Sequence, residues 1–98
     1  MLSEESIYTA LDLLKTRLNR ADHELDEYLE ARTRSAAENL EKIGIRLEDT
    51  IRDIMLTVDY AAWSYLNRDS GGTMPEWLRL MRRERWLEGV KGAAQHDT

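Results

Sequence analysis

Apolar residues recur at steps of four and three from Ile7 to Tyr65. The first run is Ile7, Leu11, Leu14, Leu18, Ala21, Leu25 and Tyr28. The second is Ala36, Leu40, Ile43, Leu47, Ile51, Ile54, Val58, Ala61 and Tyr65. That spacing places each run on one face of an α-helix. The pattern predicts an all-α fold in which these two faces meet.

The local signals predict where the helices start and stop. Ser3 suits an N-cap, Leu2 and Ile7 occupy the positions of a hydrophobic staple, and Glu4 and Glu5 suit the first turn. A first helix is expected over about 3–31. Residues 32–34 lack apolar periodicity, and Ser35-Ala36-Ala37-Glu38 has the form of a capping box, so a turn and a second helix over about 35–66 follow. The rival is one unbroken helix from 3 to 66. Gly44 falls inside the second helix, where it costs about 1 kcal/mol relative to alanine and marks a close helix crossing. Residues 67–74 form the clearest loop, and Pro75 suits the first turn of a third helix over about 75–88. Gly89 and Gly92 are expected to stop it, leaving a flexible tail at 93–98. From Met55 onward apolar residues occupy a second face, including Leu56, Tyr60 and Trp63, and that is where the third helix should dock.

Length adds an argument for self-association. Helices of about 29 and 32 residues would be roughly 43–48 Å long. A compact chain of this size is only about 33 Å across. A long antiparallel hairpin plus one short helix, in a single domain over 1–98, would therefore overhang itself, and a homodimer forming a helical bundle is expected. Leu11, Leu14, Leu18, Leu40, Ile43, Leu47, Ile51, Ile54 and Val58 are expected to form the core and the dimer seam.

Composition narrows the function. There is no cysteine, which removes disulfides, thiolate metal sites and cysteine nucleophiles. The acidic N-terminus has no apolar leader and no run is long enough to cross a bilayer, so a cytoplasmic protein without a membrane partner is expected. The net charge of −5 is uneven: residues 1–31 carry eight acids and three bases, whereas residues 67–98 carry five acids and six bases. That balance is too acidic for a protein bound to nucleic acid along its whole surface.

Four clusters are candidates for chemistry. His23, Asp26, Glu27 and Glu30 share a helix face, but Arg20 stands where a carboxylate-bundle metal site wants a glutamate, so a solvated acidic face is the better reading and no metal is expected. Arg46, Asp49, Arg52 and Asp53 could grip a small dicarboxylate, but Arg17, Arg32 and Arg34 do not complete such a set, and ion pairs on a wet helix face explain them. Tyr60, Trp63, Tyr65, Trp77 and Trp86 are rich in aromatic surface, and Trp63, Trp77, Leu78 and Met81 are expected to form a second small core. Arg79, Arg82, Arg83 and Trp86 lie at i, i+3, i+4 and i+7 and form one stripe, with Arg85 off it. Arginine and tryptophan are over-represented at binding hot spots. The plainest alternative pairs these arginines with the acidic first helix, within the chain or across the dimer.

The expectation is a small non-enzymatic regulator, adaptor or inhibitor without a cofactor, binding another protein through Arg79, Arg82, Arg83 and Trp86. One alternative is a dimer that binds nucleic acid through the same stripe. Another is an acidic mimic of nucleic acid that uses Asp22, Asp26 and Glu30.

Overall fold

The computed structural model describes residues 1–69 and 71–96, with side chains through residue 90. Four helices follow one another: α1 (Glu4–Arg17), α2 (Asp26–Lys42), α3 (Ile51–Leu66) and α4 (Glu76–His96). Among the described residues there is no strand. Helices α1, α2 and α3 pack against one another in all three pairings, and α4 packs on α3. The radius of gyration is 14.0 Å.

The first helix is shorter than its pattern predicts. Ser3 caps it, its Oγ accepting from the Ser6 N–H at 3.2 Å, and Leu2 and Ile7 are both buried as the staple requires. It ends at Arg17 rather than near residue 31. Asn19 adopts φ 56°. The Asn19 and Arg20 amides then donate back to the Thr16 and Lys15 carbonyls at 3.1 and 2.8 Å. This paired closure usually uses glycine, and asparagine is among the few other residues that tolerate the left-handed conformation.

The second and third expectations shift as a result. The stretch at 32–34 is not a turn but lies within α2, where the Thr33 hydroxyl bonds back to the Leu29 carbonyl at 2.8 Å. Ser35 is therefore a helix-interior residue and caps nothing. The real break is at 43–50. Gly44, at φ 102°, closes α2 instead of sitting inside a helix. Its amide donates to Glu41 O at 3.0 Å and that of Ile45 to Leu40 O at 3.1 Å. Leu40 and Ile45 are both buried, supplying the apolar contact that accompanies this closure. Thr50 then caps α3, accepting from the Asp53 N–H at 3.2 Å. At the other end, α4 continues through Gly89 and Gly92 to His96. Of the expected tail, 93–96 are helical, and Asp97 and Thr98 lie outside the described residues.

The core is shared among the first three helices and the 43–50 loop. Leu11, Leu14, Leu40, Leu47, Ile54 and Val58 are buried as expected, and Leu18 packs at the margin. Ile43 and Ile51 are not: they are 43% and 69% exposed, because the break between them turns both away from the seam. Alanines 10, 36, 37, 61 and 62 line the helix contacts and are buried. Leu29, Ile45 and Leu78 complete the interior from outside the predicted stripe.

The length argument for a dimer does not survive these boundaries. Helices of 14, 17 and 16 residues are only about 21–26 Å long and fit within one chain. Among the described residues no helix is long and apolar enough to cross a membrane.

Candidate protein-binding surface on α4

Two sets of contacts fix α4 to the bundle. Leu78 is fully buried and Met81 is half-buried against the core. One turn further, Arg85 Nε donates to Asp53 Oδ1 at 2.8 Å and Nη2 to Oδ2 at 3.1 Å. The same Nη2 donates to the Arg46 carbonyl at 2.7 Å. Asp53 is buried, and its Oδ2 also accepts the Glu48 N–H at 2.8 Å. Asp53 holds the Arg85 guanidinium more firmly protonated than usual, through its hydrogen bonds first and its charge second. Arg52 pairs with Glu88 outside this buried link.

Trp86 rests on the glycine that ends α2. A Cβ on Gly44 would lie 2.8 Å from Trp86 Nε1 and 3.2 Å from Cδ1. Gly44 is thus required twice, by its positive φ and by the indole above it.

With 78, 81 and 85 turned inward, 79, 80, 83 and 86 turn outward. The predicted stripe is joined by Ile43, which the apolar pattern placed in the core, and by Leu80, which it did not single out. Ile43, Arg79, Leu80, Arg82, Arg83 and Trp86 line an open groove of about 340 Å³. Its apolar floor is accessible: Ile43 is 43% exposed, Leu80 49% and Trp86 39%.

The charges around this floor differ from those elsewhere. Six of the eleven arginines form ion pairs: Arg17 with Asp59, Arg20 with Asp22, Arg34 with Glu4 and Glu30, Arg52 with Glu88, Arg68 with Asp69 and Arg85 with Asp53. Arg32 bonds to Ser64 and Tyr28 instead. Among the described residues, the side chains of Arg46, Arg79, Arg82 and Arg83 have neither kind of partner, and three of those four line the groove. Among the described residues, the stripe forms no ion pair with the acids of residues 1–31.

The other candidates resolve into local structure. Asp26 accepts from Lys15 and His23 at 2.6 and 2.8 Å. Those bonds hold its carboxyl below the usual value, that from Lys15 most. Among the described residues no three ligating side chains converge on a metal position. The set at 46–53 does not share a helix face: Asp49 lies in the loop and accepts the Ser3 N–H at 2.8 Å, while Asp53 is buried against Arg85. Trp63 packs edge-on against Tyr60 at 5.9 Å. Trp77 is not in the second core. It is 46% exposed with the Arg17 guanidinium 5.9 Å from its ring centre, and Leu78 takes the buried place.

A larger hollow of about 500 Å³ lies between Leu2, Ile7 and Ala37. Much of its polar rim is paired within the chain: Glu4 pairs with Arg34 and Glu41 accepts the Leu47 N–H at 3.0 Å. The α4 groove, where three arginines without ion partners among the described residues border an exposed tryptophan, is the stronger candidate.

No family model matches the chain, and no curated protein or solved structure matches it significantly.

Proposed function

We propose that the protein is a small non-enzymatic adaptor or regulator that binds another protein in the α4 groove. One observation carries the reading: three arginines without partners among the described residues surround an exposed floor of Ile43, Leu80 and Trp86. Guanidinium groups beside an indole suit protein hot spots, since they offer planar donors next to apolar area that gains by desolvation. The whole chain carries a net charge of −5, which disfavours an acidic partner away from this cationic edge and so favours this register.

A homodimer through this face would set the arginines of two copies against each other. The groove is therefore assigned to a different protein. Nucleic acid is the weaker occupant, because three arginines neutralise few phosphates and the acidic remainder opposes the backbone.

Affinity capture from native cells tests the reading. Wild-type protein should retain a partner that the double variant Arg82→Glu, Arg83→Glu loses. Retention by that variant, with loss when the α1–α2 acids Asp22, Asp26 and Glu30 are reversed, would instead favour the acidic mimic.

A further inference from the structure

Taking the groove as the protein-binding site, we infer that its occupant is an acidic amphipathic helix with aliphatic anchors. The cations are arranged along a helix axis rather than around a point. Arg79, Arg83 and Trp86 repeat at i, i+4 and i+7, with Arg82 one turn before Trp86. Seven residues of α4 span about 10 Å, two turns of a helix lying alongside. Carboxylates spaced three or four apart on such a helix meet successive guanidinium groups.

The floor calls for apolar side chains between those carboxylates. Leu80 and Trp86 come from α4, and Ile43 comes from the end of α2. Together they form a trough between two elements, into which a leucine or isoleucine from a partner helix can insert. An extended acidic strand would satisfy the arginines but leave this floor wet. Both parts of the site are rigidly presented, because Arg85 and Asp53 lock α4 from beneath and Gly44 seats the indole.

The test uses a blocked synthetic peptide of about four helical turns with leucines at i, i+3 and i+7 flanked by glutamates. Binding to the intact protein is measured by fluorescence anisotropy at low salt. A helical partner predicts saturable binding that weakens at least roughly tenfold with Arg82→Ala plus Arg83→Ala, and again with Leu80→Glu, while circular dichroism is unchanged. A peptide of identical composition with scattered leucines should bind far more weakly. Equal binding of the scattered isomer overturns the helical occupant but leaves the groove an acidic-protein site. No binding of either peptide also overturns the helical occupant, and the capture experiment then decides separately whether the groove binds protein. Arginine-dependent binding of duplex DNA, with no peptide binding, overturns both readings.

Discussion

Arg82 and Arg85 stand less than one turn apart on α4, yet they are held in opposite ways. Arg85 is nearly withdrawn from solvent, and Asp53 and the Arg46 carbonyl accept three of its hydrogen bonds. Arg82 faces the groove with no ion partner among the described residues. The same side chain can be a structural bolt or a cation without an ion partner, and the choice is made by what lies against its side of the helix. On the inner face the bolt replaces apolar packing beyond Leu78, where α4 runs along the polar start of α3. Toward the groove the cations have no ion partner among the described residues, which costs little in water.

The comparison can be broken by mutation, and the effects should fall in a definite order. The largest belongs to the core that both faces depend on. Leu47→Asp places a carboxylate at a site 1% exposed, and loss of the cooperative thermal transition is expected. Arg85→Ala leaves Asp53 buried without its cation. A loss of about 3–5 kcal/mol in denaturant unfolding is expected. Gly44→Ala strains the positive φ and pushes on Trp86, so a loss of about 1–2 kcal/mol is expected together with a shift in tryptophan emission. Arg82→Ala should change stability by no more than about 0.5 kcal/mol. If Arg82→Ala destabilised as much as Arg85→Ala, the division between the two faces would be wrong.

Acid pH supplies the smallest, graded test. Asp26 and Asp49 are held below their ordinary value of 3.8, Asp26 by Lys15 and then His23, Asp49 by the Ser3 amide and then the Ser6 hydroxyl. Such groups contribute stability that is fully present above the unfolded value and is lost as pH falls through the folded one. Asp59 runs the other way, because burial raises its carboxyl more than Arg17 lowers it. Its ionisation opposes folding, and protonation relieves that. Asp49→Asn should therefore flatten the loss of melting temperature below about pH 4, and Asp59→Asn should steepen it. Identical acid profiles for the two variants would contradict these assignments.

The all-helical class was legible because apolar steps of three and four cover most of the chain. The helix boundaries were not, and the reason is physical. Leu25 and Leu47 keep the helical spacing through loops because loop residues also reach the core. Asn19 ends α1 without the glycine or proline that usually marks an end, and Gly44 was visible but read as interior. The Arg79–Trp86 stripe was legible because it lies within one real helix. Ile43 joined it only once the break at 43–50 turned that residue outward. The Arg85–Asp53 bolt joins positions 32 apart, which no local pattern reveals.

Backbone hydrogen exchange on the protein with and without its captured partner tests the central claim most directly. Added protection is predicted around residue 43 and across 79–87, with little change over 4–17. Protection that instead fell on α1 and the start of α2, leaving α4 unchanged, would contradict the assignment of binding to the outer face of α4.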